Sequence, residues 1–209
     1  MAHVLELHPM TEDRPAEAPS HRRIRSASRI LAILFGVIFV ANCVFALGMI
    51  LAFVIPFAGD HLLIGPKGML LSLGPQPAHA AVAPPIGYVT VAGLPLIQRL
   101  AHVAVSPLVI LPLLMIFWNL RQLFRLYGKG VVFSEANARL IKHIGLWLGA
   151  NALQPLVTTS VLAAVHMRID QNWFHGDTIP KIVLGGVVYV IGMVMEVGRQ
   201  IEEEQGQFV

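Results

Sequence analysis

Apolar residues dominate four stretches of the chain, at 30–57, 100–120, 141–165 and 179–197, and polar residues gather between them. Each stretch is close to or beyond the roughly 20 residues that a helix needs to cross about 30 Å of hydrocarbon. Runs this long can satisfy their backbone inside a membrane only as helices, which excludes a barrel of short alternating strands. The pattern therefore predicts an all-α membrane protein, a four-transmembrane-helix bundle. The first run is about twice the length of a signal-peptide apolar region and follows a polar tail, so it reads as an anchor. Ala78-His79-Ala80 imitates a cleavage site but lies some twenty residues beyond that run.

The segments between the runs differ in character. Residues 1–29 mix Glu6, Glu12, Asp13 and Glu17 with Pro9, Pro15 and Pro19 and show no periodicity, which predicts a disordered tail. Residues 58–99 carry GPKG, GPQP and APP, turn signals that argue against a continuous helix and for a small cap over the bundle. Residues 121–140 form a middle loop and 198–209 a terminal tail. Pro107 and Pro112 in the second run, and Pro155 in the third, each remove a helical hydrogen bond and predict kinks.

Composition adds weight to the membrane reading: 56% of the 209 residues are hydrophobic and 13% charged, well outside the range of a soluble domain. The distribution of the 15 basic residues sets an orientation. Eleven of them, including Arg25, Arg29, Arg121, Arg125, Lys129, Arg139, Lys142 and Arg199, flank one set of span ends, against Lys67, Arg99, Arg168 and Lys181 at the other. The positive-inside rule then puts both termini and the middle loop in the cytoplasm. Positive charge beside the spans meets anionic headgroups, making membrane lipids the expected partner. No basic domain large enough to read nucleic acid is present. Cys43 stands alone and forms no intramolecular disulfide, so it reads as a core filler.

Candidate chemistry within the spans is sparse. Asn151, Gln154 and Thr158 recur at offsets of 0, 3 and 7 and share a helical face with Trp147, Pro155 and Leu162, which predicts an inward polar stripe. Such a stripe serves either interhelical hydrogen bonding or a solute path. The absence of charge near the middle of any span argues against an ion-coupled transporter. Gly145 and Gly149 form a GxxxG pair, inviting close approach by another helix of this chain or of a second copy, a homo-oligomer. His102 and His166 fall at outer helix ends, with His61, His79 and His175 in the outer loops. No HExxH, CxxC or CxxCH accompanies them, so no metal, haem or other cofactor is expected, and a haem- or metal-binding anchor ranks last among the readings. No Walker loop, GxSxG or paired intramembrane carboxylates point to an enzyme.

Two polar motifs stand out. In GKGVVFSEANARLIKHIG, Gly128 and Gly130 release the second helix, and Ser134 caps the third. Asn137 replaces the Glu or Gln of a full capping box, while Arg139, Lys142 and His143 give a basic edge opposite Ile141 and Ile144. In GRQIEEEQGQFV, a continued helix pairs Arg199 with Glu196 and Glu203. Its acidic balance opposes the basic balance of the middle loop, and opposite charge on one membrane face predicts that the two touch.

These motifs resemble those of a bacterial four-pass membrane protein family of unknown function, the YoaS-like proteins. The pattern G-x-x-F-[ST]-x-x-N-x-x-x-[LI]-x-x-I-G is met by Gly130, Phe133, Ser134, Asn137, Ile141, Ile144 and Gly145. The ending G-x-x-[LI]-x-x-E-[NQ]-x-x-x-V is met by Gly198, Ile201, Glu204, Gln205 and Val209. Val131 and Ala136 depart from acidic positions of that family, and Gly206-Gln207-Phe208 departs from its usual ending. The resemblance implies an inner-membrane protein often encoded beside a small helix-turn-helix regulator. The leading expectation is a non-enzymatic interaction or signalling module whose middle loop and tail bind such a regulator; the alternative is a small-solute transporter or channel.

Overall fold

A computed structural model describes residues 19–55, 62–65, 68–71, 89–131, 133–166 and 178–206. Four long helices account for most of them: α1 Pro19–Val54, α2 Leu96–Gly128, α3 Glu135–Ala164 and α4 Thr178–Gly206. At about 1.5 Å per residue, even α4 with its 29 residues is longer than a bilayer core is thick. Segments of α1, α2 and α4 are apolar enough to cross a membrane. α3 is as long but more polar, because Asn151, Gln154, Thr158 and its charged first turns interrupt the apolar sequence. Large apolar side chains are nonetheless exposed along all four helices, from Ile33 on α1 to Leu146 on α3 and Val194 on α4. A surface of that extent on one chain is a surface for lipid.

The helices run up and down, each packed on its neighbour in sequence: α1 on α2, α2 on α3, and α3 on α4. Among the described residues no contact of similar extent joins α1 to α4, so the four expected helices are arranged as an open row. The reason lies in how the seams are built. α1 and α2 meet through aromatic rings, Phe35 on Phe124 at 5.5 Å and Phe39 on Trp118 at 5.3 Å between centroids. α3 and α4 meet almost backbone to backbone. A Cβ added to Gly145 would lie 2.6 Å from both the Gly185 carbonyl oxygen and the Tyr189 nitrogen, and one on Gly192 would lie 2.9 Å from the Lys142 nitrogen. The helix expected to fit against Gly145 and Gly149 is thus α4 of the same chain.

Three polar stretches assigned outside the spans are helical, which the sequence reading anticipated only for the last, where a continued helix was to pair Arg199 with Glu203. Residues 19–29, assigned to the disordered tail, are the first three turns of α1, and Pro19 stands at a helix start where its missing N–H costs nothing. Residues 121–128, assigned to the middle loop, continue α2. Residues 198–206, assigned to the tail, continue α4. Good helix formers such as Arg, Glu and Gln favour the extension, and contacts such as that of Arg121 with Gly36 of α1 fix it. Residues 1–18 and 207–209 lie outside the described set, as do Trp173 and Phe174.

At the end of the row opposite the basic residues, a three-stranded antiparallel sheet departs from the all-α expectation. Its order is β2-β1-β3, with β1 Leu62–Gly65, β2 Gly68–Leu71 and β3 Val89–Thr90. A 3-10 turn, Val91–Gly93, follows, capped by Thr90. Val91 and Phe53 are fully buried there against Met49, Ile64, Leu94 and Val103, which fastens the sheet to α1 and α2. At the basic end a second cluster, Leu123, Ile141 and Ile144, gathers Tyr127, Val188 and Met195 and joins α2, α3 and α4.

The glycine seam makes a discriminating prediction. Gly145→Ala should destabilise the protein by about 1–3 kcal/mol in detergent unfolding titrations, because nothing at the crossing can yield. Gly149→Ala, whose added methyl would meet nothing within 4 Å, should stay within about 0.5 kcal/mol of the parent.

Candidate functional site

The candidate site is the α2–α3 turn together with the outer length of α4. α2 ends in a Schellman motif: the Gly130 N–H donates to the Tyr127 carbonyl at 2.9 Å and the Val131 N–H to the Leu126 carbonyl at 3.1 Å. Gly130 has φ +82°, a left-handed conformation that this motif requires and that favours glycine. A side chain there would also meet Arg25 of α1, whose Nη2 would lie 2.9 Å from an added Cβ. The chain then turns directly into α3, where the Ser134 hydroxyl accepts from the Asn137 N–H at 3.2 Å. Asn137 does not complete a capping box. Its side-chain amide instead donates back across the turn to the Val131 carbonyl at 2.8 Å, and the residue is completely buried.

Between these fixed points Phe133 is 77% exposed. The glycine, the serine cap and the asparagine hold the turn; the phenylalanine is not used to pack it. Arg139 follows one turn into α3 and pairs with Glu135 at 2.6 Å, both side chains more than half exposed. Ile141, Ile144 and Gly145, by contrast, are buried and belong to the packing of α3.

The contact expected between middle loop and tail is found just inside both, between α3 and α4. Lys142 Nζ of α3 lies 2.7 Å from Glu196 Oε2 of α4, a half-buried ion pair beside the Gly192 crossing. Arg199 pairs within α4 with Glu203, while Glu196 takes its hydrogen bond from Lys142. α4 then continues outward with Ile201, Glu203 and Glu204 exposed. An added Cβ on Gly198 would meet nothing within 4 Å, so that motif glycine is not a packing glycine. Gln205 is helical with its side chain outside the described set, and Val209 lies beyond it altogether.

The intramembrane polar residues bond locally. Gln154 donates to the Thr158 hydroxyl at 3.2 Å, and that hydroxyl lies 3.1 Å from each of the Gln154 and Pro155 carbonyls of its own helix. Thr158 is buried and Asn151 and Gln154 are half-buried. None of the three lines either of two surface hollows, one between α1 and α2 and one beside Trp147 and His143. His102 stacks on Phe53 at 4.7 Å between ring centroids. Among the described residues no three His, Cys, Asp or Glu side chains come together as a metal site, and His61, His79 and His175 lie outside that set.

The structural contacts of two arginines escaped the sequence reading. Arg99 donates from Nε and Nη2 to the Phe53 carbonyl, at 2.9 and 2.7 Å, and from Nη2 to the Val54 carbonyl at 3.1 Å. It thereby caps the last turn of α1, which has no basic residue of its own. Arg121 was placed in a loop but lies against Gly36 of α1, with its guanidinium carbon 5.4 Å from the Trp118 ring centroid. A basic residue at the edge of the apolar run 100–120, Arg99 just before it and Arg121 just after it, was the signal for each.

A family model described as a protein of unknown function (DUF2975) matches residues 75–207, taking in β3 and α2 to α4 and leaving α1 outside the match. No curated protein and no solved structure matches the chain.

The two motif glycines of this region should behave oppositely. Gly130→Ala should lower stability by about 1–2 kcal/mol in thermal unfolding, the cost of a left-handed alanine. Gly198→Ala should raise it by up to about 1 kcal/mol, since it sits in ordinary helix with open space around it, where alanine is the better helix former.

Proposed function

The chain belongs to the DUF2975 family, and from that premise we propose that it is a four-pass inner-membrane interaction module, non-enzymatic, that docks a cytoplasmic partner on its α2–α3 turn. In this reading α3 is the fourth span, as in the YoaS-like proteins, and the basic end of the row faces the cytoplasm with both termini. The outer turns of α4, with Ile201, Glu203 and Glu204 exposed, complete the docking surface. The partner class that the sequence resemblance implies is a small helix-turn-helix regulator held at the membrane.

One observation carries the proposal: a turn immobilised by Gly130, Ser134 and Asn137 presents Phe133 to its surroundings rather than to the core. A rigid exposed aromatic is the kind of side chain that anchors protein interfaces, since it brings large area at little entropic cost. The charges of the proposed surface differ in sign, Arg139 with its partner Glu135 on α3 and the acidic outer α4, and would give a partner an orientation as well as an anchor. The transport alternative has less support, because Gln154 and Thr158 bond to each other and to their own helix.

Co-purification from the native host in mild detergent tests the reading. Phe133→Ala, and separately truncation from Glu202, should each reduce recovery of a cytoplasmic partner at least tenfold, as loss of an interface anchor does. Equal recovery with parent and both variants would remove the docking role.

A further inference from the structure

The basic end also contains a groove that the docking role does not use. It lies between α1 and α2, has a volume of about 950 Å³, and its lining holds four cationic side chains and no carboxylate. Arg29, Arg125 and Lys129 stand exposed at its mouth, and Arg121 lies deeper. Among the described residues none of the four is in an ion pair; the recorded pairs belong to Glu135, Glu196 and Glu203, on α3 and α4.

Depth separates Arg121 from the other three. A Cβ on Gly36 would come 3.2 Å from Arg121 Nε, so the missing side chain at Gly36 is what leaves room for the guanidinium. Gly36 is seven residues along α1 from Arg29, a rise of about 10 Å. A charge drawn that far into an apolar seam is costly unless an opposite charge reaches it, and the Trp118 face supplies only part of that.

Below the cations the groove is hydrocarbon. Ile33, Val37 and Val40 form one wall, each more than half exposed, with Ala41 at the far end and Phe124 opposite. From Arg29 to Ala41 the rise is about 18 Å, close to the thickness of one leaflet, half of about 30 Å plus the start of the headgroup layer. The profile of the groove, cationic for its first few turns and apolar for the rest, is the profile of a phospholipid lying along the helices.

We propose that this groove is a binding site for a single anionic phospholipid, its phosphate held by Arg121, Arg125 and Arg29 and one acyl chain lying along Ile33, Val37 and Val40. Arginine is suited to the task, since its planar fork meets phosphate oxygens through two parallel hydrogen bonds. Basic pockets between membrane helices take anionic headgroups in this way. Bound lipid would brace α1, the helix outside the family match, against α2.

Native mass spectrometry of the full chain, exchanged with phosphatidylglycerol or phosphatidylcholine, tests the site. The parent should retain phosphatidylglycerol about tenfold more than phosphatidylcholine, the factor one charge-assisted contact supplies. Arg29→Gln/Arg125→Gln, changed only at exposed positions so that folding is spared, should bring the ratio near one; Arg121→Gln should do so alone. Arg139→Gln removes the same charge outside the groove and should leave the ratio unchanged. The proposal is overturned by a parent without preference, by Arg139→Gln lowering the ratio as far as the groove variants, or by glycerophosphoglycerol or inorganic phosphate displacing the lipid at equal concentration.

Discussion

At Gly145, Gly185 and Gly192 the backbones of α3 and α4 approach so closely that a methyl group would strike main-chain atoms of the other helix. Much else follows from this contact. In lipid there is no hydrophobic gain from bringing two helices together, so association rests on close van der Waals packing over small residues. The glycine seam supplies that packing to α3, the helix whose own sequence is least suited to hydrocarbon. It also sets the register in which Lys142 meets Glu196 and in which Ile141, Ile144, Val188 and Met195 form the core of the basic end. The α2–α3 turn is held at its α3 side by the same core, so the exposure of Phe133 depends on a contact several turns away.

The two ends of the row are secured by different means. At the sheet end Arg99 neutralises the carbonyls at the close of α1, and buried Phe53 and Val91 join helix to sheet. At the basic end capping is local: a glycine in the left-handed region, a serine hydroxyl and an asparagine amide. The middle of the row has few polar connections between helices. Asn42, Asn119 and Thr158 all bond to carbonyls of their own helices, at 2.8, 2.6 and 3.1 Å. The spans are thus held by shape, and the ends by hydrogen bonds and charge, as befits a structure whose ends alone meet water.

The positions of the helices were legible because apolar runs of membrane length have few alternatives, and the turn was legible because Gly130 and Ser134 do local work. Gly145 was likewise readable as a packing glycine from its spacing with Gly149. What escaped was tertiary. Whether polar residues such as Arg121 to Arg125 sit in a loop or in a helix depends on the neighbour they lie against, here α1, and periodicity within one segment carries no record of that. The sheet escaped because β1 and β2 are four residues each and β3 two, too short for a pattern to emerge among prolines and glycines. Arg99 was counted as one charge in an orientation rule, and its role required knowing where α1 ends.

The proposal on which the others rest is that α3, although its sequence is more polar than that of its neighbours, crosses the membrane tied to α4 by the glycine seam. Side-specific thiol labelling tests this directly. In a Cys43→Ala background, single cysteines replace Phe133, at the turn before α3, and Val165, at its far end, and sealed vesicles of each orientation are treated with an impermeant maleimide. If α3 spans as proposed, the two positions react from opposite faces of the membrane, position 133 from the cytoplasmic one. Labelling of both from the same face would contradict it.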